Sequence, residues 1–259
     1  MSSLRAEAPA GVLAVDKASG WTSHDVVAVV RGIVGVRRVG HGGTLDPLAT
    51  GILPILVGSA TRSVERLHTA PKVYAALVRF GYETTTDDRE GAVTREGNVP
   101  DVEGTELDRR LDPFRGEILQ APPAYAAVKV GGRRAYQLAR AGRPVEPKER
   151  LVRVERLEVA SWLPPDLRLL VVCGSGTYVR SLARDIGRAV GSAAHLAALR
   201  RLAVGALTAE GSVAVDELRG GGRDAAIARL RPVDQTVLEL DDRFRTRAAQ
   251  TILHGWEVR

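Results

Sequence analysis

The chain has 259 residues, of which 44% are hydrophobic, so it is long enough to bury a large core and too apolar to be disordered. It carries a formal net charge of +6, and four lysines leave 33 arginines among its 37 basic residues. Arginine binds phosphate and stacks on bases, so this composition suits a nucleic-acid-binding protein, although GC-rich codons explain it equally well. The single cysteine, Cys173, excludes a disulfide framework and a cysteine-based zinc site.

Neither the histidines nor the first residues indicate a metal site or a targeting segment. The five histidines are far apart and lack an HExxH-type spacing (positions 24, 41, 68, 195 and 254). The apolar run GVLAV ends at Asp16, which makes it too short for a signal peptide, and no run approaches the ~20 apolar residues of a membrane span. We therefore expect a soluble intracellular protein without a metal or a membrane span.

The first predicted elements are a helix and a strand. The segment SHDVVAVVRGIVG places its valines on one stripe of a helix that begins with Ser23 as N-cap and ends at Gly35. The segment KVYAALVRFG, residues 72–81, alternates faces as a strand does and places Tyr74 on the same face as Lys72.

Further along, DLRLLVVCGSG (166–176) predicts a strand, and TYVRSLARDIGRAVG (177–191) predicts a helix that ends at Gly191. The segment SAAHLAALRRLAVG (192–205) places three leucines in helical register and predicts another helix. Strands and helices do not alternate in a βαβ rhythm. We therefore predict an α+β fold with an extended, mostly antiparallel mixed sheet flanked by helices and loops.

One acid lies in an unusual setting, in the segment GHGGTLDPLATGILP at residues 40–54. The segment lacks the lysine of a phosphate-binding loop, the spacing of a dinucleotide fingerprint, the GxSxG elbow of a hydrolase and the second acid of an aspartyl-phosphate enzyme. Asp46 followed by Pro47 is a common helix entry, with the carboxylate as N-cap. A carboxylate fixed in an apolar pocket can also act as a nucleophile, so both readings stay open here.

Six segments, taken in order, carry a resemblance that decides between these readings. They are GVLAVDKASGWTSHDVV, GHGGTLDPLATGILP, KVYAALVRFG, QAPPAYAAVKVGGRRAYQLARAG, GTYVRSLARDIG and HLAALRRLAVG. Together they resemble the TruB family of tRNA pseudouridine synthases from about Gly11 to Gly205. An ordered series is far more specific than one loop, and it implies the pseudouridine synthase fold for this chain.

The resemblance implies three catalytic residues. Such an enzyme flips a uridine out of its RNA, breaks the bond between C1′ and N1, and rejoins the ring through C5. It implies that Asp46 is the nucleophile, attacking either the ring or the sugar. Tyr74 would stack on the uracil and take the C5 proton, and Arg180 would pair with Asp46 and keep it ionised. Alone, Tyr74 is an ordinary half-buried strand tyrosine, and Arg180 begins a row with Arg184 and Arg188 that reads as a solvated face.

Binding residues are implied in the same way. In the family, the histidine at the position of His41 enters the T-loop where the target base has left, and Tyr178 and Leu199 match residues that line the uracil pocket. Lys17 and Lys72 match family positions as well, and each suits packing or a phosphate contact equally.

The segment 129–150 carries seven basic residues against two acids, and we expect it to bind RNA phosphates through Arg133 and Arg134 among others. In the family this block belongs to an RNA-gripping insertion, here about residues 121–150. The expected domains are a catalytic domain over 1–237 and, over 238–259, the start of a C-terminal RNA-binding domain of the PUA type.

The expected function is isomerisation of the T-loop uridine of tRNA, uridine-55, by a monomer that needs no obligate protein partner. Two alternatives are a non-catalytic RNA-binding or RNA-folding protein on the same fold, and a guide-RNA-dependent synthase. One departure from the family is Gly42, which stands where threonine is usual and predicts a looser loop at His41.

Overall fold

The computed structural model describes residues 8–126, 129–130, 132–141, 145 and 147–256. It contains two compact units, which are described separately. The first comprises the described parts of Met1–Lys72 and Arg200–Arg245, and the second comprises those of Val73–Leu199 and Thr246–Arg259.

The elements are numbered in chain order. The strands are β1 Gly11–Lys17, β2 Val39–His41, β3 Thr50–Val57, β4 Lys72–Phe80, β5 Tyr82–Thr84, β6 Val93–Glu96, β7 Gly116–Gln120, β8 Lys129–Val130, β9 Arg133–Arg134, β10 Arg150–Leu163, β11 Asp166–Cys173, β12 Ala194–Val204, β13 Leu207–Thr208 and β14 Val213–Ala214. The α-helices are α1 Ser23–Val34, α2 Val64–Thr69, α3 Gly104–Arg110, α4 Ala135–Arg140, α5 Val179–Ala189, α6 Val215–Ala228, α7 Gln235–Leu238, α8 Arg243–Thr246 and α9 Ala249–Ile252. Short 3₁₀ helices span Gly58–Ser63, Asp112–Phe114 and Ala209–Gly211.

The first unit is built on the strand order β14-β1-β3-β12, with β2 added to β3 and β13 added to β12. Strands β1 and β3 pair antiparallel along their whole length, from Gly11 opposite Val57 to Lys17 opposite Gly51. Helices α1 and α6 pack against each other in the same unit. Apolar residues of β1, β3 and α2 form a core cluster, so the sheet that carries residues 40–57 is rigidly backed.

Helix α1 confirms the predicted helix and corrects its cap. The N-cap is Thr22, whose hydroxyl accepts from the backbone N–H of Asp25 while Asp25 accepts from the N–H of Thr22, so the two form a capping box. Ser23 is the first helical residue, and its hydroxyl is used elsewhere. Gly35 ends the helix in the left-handed conformation, as predicted.

In the second unit the strand order is β4-β11-β10-β7, and residues of strand β12 belong to both units. Strand β10 pairs antiparallel with β11 on one side and with β7 on the other. Strand β4, strand β11 and helix α5 all lie where the sequence predicts them. The prediction of an α+β fold with a mostly antiparallel mixed sheet is confirmed.

The prediction of a helix over 192–205 is wrong, because these residues form strand β12. Alanine and leucine favour helix in isolation, but residues 200 and 201 of this segment pair parallel with Thr50 and Gly51 of β3. The strand is buried from Ala194 to Ala197, and buried and half-buried residues then alternate to Ala203, as the two faces of a strand do. Burial in the sheet outweighs the intrinsic preference.

Candidate active site

In the first unit, Asp46 lies in a loop between β2 and β3. Residues Pro47 and Leu48 form a turn closed by a 3.1 Å hydrogen bond from the Ala49 N–H to the Asp46 carbonyl, and β3 starts at Thr50. No helix follows Asp46 in this described segment, so the reading of Asp46 as a helix cap is wrong. The Asp46 side chain is half-buried, which leaves it accessible to a ligand while its backbone is fixed.

Two serines near the start of α1 form hydrogen bonds with the backbone of the Asp46 loop. The hydroxyl of Ser23 accepts from the Leu45 N–H at 2.9 Å and donates to the Leu45 carbonyl at 3.1 Å. The hydroxyl of Ser19 donates to the Leu48 carbonyl at 3.3 Å. Both residues that flank the dipeptide Asp46–Pro47 are therefore tied to the segment around the start of α1.

Lys17 is fully buried at the end of β1, and its ammonium donates to backbone carbonyls of Ala18, Trp21 and Pro47 at 2.9, 2.8 and 3.3 Å. The contact with Pro47 makes this lysine a support of the Asp46 loop. Lys72 is also buried, and its ammonium donates to the carbonyls of Leu67 and His68. For both lysines, direct contact with RNA stays a prediction.

Sequence reasoning missed Arg201, the neighbour of Leu199 and Arg200 on β12. Its side chain is 1% exposed, and its guanidinium donates to the carbonyls of Ile52, Gly43 and Thr44 at 2.7, 3.0 and 3.3 Å. The signal available in the sequence was an arginine inside an apolar segment, which a prediction of β-strand would have placed inside the sheet.

His41 ends β2 and is half-buried, with its ring edge against His24 at 5.4 Å between centroids. Its Nδ1 is buried and has no hydrogen-bond partner in the described part of the chain. Burial, followed by the nearby charges of His24 and Arg201, lowers the pKa of His41 to about 4. The imidazole is therefore neutral at pH 7.

Gly42 is buried. Its N–H donates to the Pro54 carbonyl at 2.8 Å, and a Cβ at this position would lie 2.9 Å from Cδ1 of Leu67. A side chain at this position would therefore require Leu67 to shift. The prediction of a looser loop is not tested by this packing.

In the second unit, Tyr74 lies on β4 and is half-buried, and Leu199 lies on β12 and is 8% exposed. Tyr178 immediately precedes α5 and is half-buried. Its backbone N–H donates to Oε1 of Gln120 at 2.8 Å, and its carbonyl accepts from Nε2 of Gln120 at 3.1 Å. The Arg150 guanidinium lies over the Tyr178 ring, 5.0 Å from its centroid. Gln120 therefore holds the backbone of Tyr178, just before α5, and Arg150 packs on its ring.

Arg180, in the first turn of α5, is 5% exposed. Its guanidinium donates to the carbonyls of Thr86 and Tyr125 at 2.9 and 3.3 Å and lies 3.6 Å from the Asp88 carboxylate. Arg184, one turn later, pairs with Asp87 at 2.7 Å and is 11% exposed. The reading of this row as a solvated face is therefore wrong for its first two members.

The acids opposite this row are themselves buried. Asp87 is 8% exposed and adopts a left-handed backbone conformation with φ of 59°. Burial raises the pKa of Asp87 to about 6, although the adjacent Arg184 favours the charged form. Further along α5, Arg188 pairs with the buried Glu83, and the pKa of Glu83 is lowered by its hydrogen bonds to Arg188 and Arg95, which outweigh its burial.

The predicted RNA-gripping residues are only partly described. Arg133 and Arg134 form strand β9, which pairs antiparallel with Lys129 and Val130 of β8, and the short helix α4 follows. Of the insertion over 121–150, residues 127–128, 131, 142–144 and 146 lie outside the described residues.

Comparison with known proteins decides the family. A family profile described as "TruB family pseudouridylate synthase (N terminal domain)" matches residues 31–179, and one described as "tRNA pseudouridylate synthase B C-terminal domain" matches residues 180–238. The chain belongs to the TruB family. The two matches are contiguous and together contain His41, Asp46, Tyr74 and Arg180.

Relatives in the TruB family cover most of the chain. A protein of Thermobifida fusca named tRNA pseudouridine synthase B is 43% identical over 258 residues, which are 96% of this chain and 86% of that protein. One of Gloeothece citriformis with the same name is 47% identical over 194 residues, 74% of this chain and 63% of its own length. A solved structure described as a Cbf5-Nop10-Gar1 complex matches with a TM-score of 0.65 and 32% identity, over 86% of this chain and 60% of the matched chain.

The described residues contain no group of three or more histidine, cysteine, aspartate or glutamate side chains placed to hold a metal ion. Among the same residues, none of the helices has the length and apolar character needed to cross a membrane.

Proposed function

We propose that the protein is a tRNA pseudouridine synthase that isomerises the T-loop uridine, uridine-55. The observation that carries this proposal is the family match across residues 31–238, which includes the half-buried Asp46 in a loop fixed on both sides. Relatives that share 43% and 47% identity with this chain carry the name tRNA pseudouridine synthase B. We infer that it works in the cytoplasm as a monomer, with tRNA as its partner.

In the proposed reaction, Asp46 supplies the nucleophile, either to C1′ of the ribose or to the uracil ring. The bond between C1′ and N1 breaks, the uracil turns, and a bond forms between C1′ and C5. An aspartate bound to C1′ leaves as C5 bonds to that carbon, whereas an aspartate bound to the ring is eliminated after the new bond has formed. C5 loses its proton and N1 gains one, so the net change is an isomerisation that requires no oxidant, reductant or cofactor. A loop whose backbone is already ordered favours this role, because the nucleophile then loses little freedom on reaching the transition state.

Tyr74 and Arg180 have proposed roles in the same reaction. Tyr74 is the aromatic ring that stacks on the flipped uracil and receives the C5 proton, and its half-buried position on β4 leaves the ring accessible. Arg180 is the cation that stabilises the Asp46 carboxylate, and its burial supports this because an arginine stays charged in an apolar setting. Tyr178 and Leu199 line the uracil pocket in this proposal.

RNA binding is assigned to His41, Lys17, Lys72, Arg133 and Arg134. A neutral imidazole at His41 supports insertion between RNA bases, because a neutral ring is more easily desolvated than a charged one. The proposed domains are the catalytic domain over 1–237, with its basic insertion, and the start of an RNA-binding domain over 238–259.

The test is tritium release from T-arm RNA that carries 5-tritiated uridine. Wild type should release tritium, and Asp46→Asn should release none while it binds the same RNA with an unchanged Kd. If wild type binds the RNA and releases nothing, the protein is a non-catalytic RNA binder. Release from a T-arm whose uridine-55 is replaced by cytidine would contradict the assigned position.

A further inference from the structure

Strand β12 carries an arginine that no step of the proposed reaction uses. Arg201 is 1% exposed, among the most buried large side chains in the protein, and arginine cannot give up its charge inside a protein. Burying a guanidinium is costly unless its N–H groups find acceptors. The positions of those acceptors therefore reveal what the charge holds in place.

The acceptors lie on both sides of Asp46. Nη2 and Nη1 donate to the carbonyls of Gly43 and Thr44, which precede the aspartate, and Nε donates to the carbonyl of Ile52, which follows it in β3. The planar guanidinium thus links the beginning and the end of the loop. Because its geometry is rigid, it fixes the orientation of three peptide groups at once.

Any movement of the Asp46 loop away from Arg201 costs free energy. Backbone carbonyls solvate the guanidinium but do not neutralise it, so each carbonyl that moves away leaves buried positive charge without an acceptor. Charged hydrogen bonds of this kind are stronger than neutral ones, and the low dielectric of the interior strengthens them further.

Glycines allow the close approach that these contacts require. A Cβ at Gly51 would lie 2.1 Å from the carbonyl oxygen of Arg201, so the backbones of β3 and β12 meet here without room for a side chain. Gly43, whose carbonyl is one of the acceptors, has a φ of 133° that other residues rarely adopt. The two glycines therefore allow the backbone around Asp46 to come within hydrogen-bonding distance of Arg201.

We infer that Arg201 is a positioning residue, which holds the Asp46 loop in its catalytic shape from within the protein. This inference rests on the proposed function for its effect on catalysis. Arg201 contacts the loop only through backbone carbonyls, so the inference concerns the orientation of Asp46 and not contact with the RNA.

The adjacent arginine provides a matched control. Arg200 is the preceding residue of the same strand, with its side chain on the opposite face, and it forms two hydrogen bonds with the Asp16 carboxylate at 2.6 and 3.0 Å while remaining 25% exposed. Arg200→Met removes the same charge from the same strand and leaves the contacts to residues 43, 44 and 52 untouched.

The experiment compares Arg201→Met, Arg201→Lys and Arg200→Met by tritium release under multiple turnover at saturating T-arm RNA, which gives kcat, with Kd measured separately. We expect kcat to fall about 100-fold in Arg201→Met and about 10-fold in Arg201→Lys, with Kd within about threefold of wild type, because a misplaced reacting group costs rate more than binding. Arg200→Met should keep kcat within about threefold of wild type. A wild-type kcat in a folded Arg201→Lys or Arg201→Met, or an equal loss in Arg200→Met, overturns the inference.

A second measurement does not depend on activity. Backbone amide resonances of Thr44, Leu45 and Asp46, recorded by NMR without RNA, should shift in Arg201→Lys and stay in place in Arg200→Met. If the loop resonances stay in place in Arg201→Lys, the inference is overturned even when activity is lost. If wild type releases no tritium, the proposed function fails, and the resonances alone decide whether Arg201 holds the loop.

Discussion

The Asp46 loop of the first unit is held by hydrogen bonds between side chains and backbone groups, from Ser23, Lys17 and Arg201. In the second unit, Arg180 and Arg184 on α5 form buried ion pairs with Asp88 and Asp87, which follow β5. The first loop is held through backbone carbonyls and N–H groups, whereas the ion pairs of the second unit include the carboxyl of Asp87, whose pKa burial raises to about 6. The two regions should therefore respond differently to mutation and to pH.

The largest expected effect belongs to Arg180. Arg180→Met leaves the Asp88 carboxylate, which is 5% exposed, without its cation, and removing one partner of a buried pair costs about 3–5 kcal/mol of folding free energy. We expect kcat to fall about 1000-fold or more, since Arg180 is also proposed to act in the reaction. Tritium release under multiple turnover at saturating RNA measures kcat, and urea denaturation measures the free energy of unfolding.

Arg184→Met is the matched variant for this prediction. It breaks the buried pair with Asp87 on the same helix and should cost a similar free energy of unfolding with a much smaller loss of kcat. Equal losses of kcat in the two variants would mean that Arg180 contributes only to the structure of α5.

The second prediction concerns the pH dependence of stability in the same unit. The pKa of Asp87 is about 6 in the folded protein and ~3.9 in the unfolded chain, because burial favours the neutral carboxyl. Its contribution to stability is therefore complete below about pH 4 and is lost as pH rises to about 6, a change of about 3 kcal/mol. In Asp87→Asn, the free energy of unfolding should lack this decline between pH 4 and 6.

The measurement is urea denaturation at pH steps from 4 to 7, with Asp216→Asn as control because the Asp216 side chain is 90% exposed. If the free energy of unfolding declines equally in wild type and Asp87→Asn, the raised pKa of Asp87 is contradicted.

The third prediction has the opposite sign and lies in the first unit. The pKa of His41 is lowered to about 4, chiefly by burial, so protonation favours the unfolded chain. Its contribution to stability is present above about pH 6.5 and is lost as pH falls toward 4, by about 2 kcal/mol after allowance for its partial exposure. In His41→Gln this loss should be absent, and His254→Gln, at an exposed site, should behave like wild type.

Urea denaturation over the same pH steps tests it, and the imidazole resonances of His41 give its pKa directly. A midpoint near 6.5 for these resonances would mean that His41 is more exposed to solvent than the packing implies.

The sequence motifs point to candidate catalytic residues but not to the residues that hold the Asp46 loop. Asp46, Tyr74 and Arg180 were predicted because each lies in a contiguous segment that resembles the family. Arg201 was missed because its acceptors, at residues 43, 44 and 52, are distant along the chain and come together only when β3 and β12 pair.

The wrong prediction of a helix over 192–205 also results from contacts between residues that are distant along the chain. Residues 192–205 have the composition of a helix, and only their position among neighbouring strands makes them β12. Helices α1 and α5 were predicted correctly because their apolar stripes and terminal glycines are local signals. Long-range pairing leaves no such signal in a single sequence.

The smallest predicted effect tests the neutral bonds of the Asp46 loop. Ser23→Ala leaves the buried N–H of Leu45 without its acceptor, which costs about 1–2 kcal/mol. Because no charge is involved, the cost should be the same at 0.05 and 1 M NaCl, whereas salt weakens contributions from exposed charges. Ser19→Ala is the matched variant, since its hydroxyl makes a longer bond, 3.3 Å, to the next part of the loop. A salt-dependent cost in Ser23→Ala would show that the Ser23 bonds are coupled to solvent-exposed charges, and the assignment of a purely neutral contribution to them would then fail.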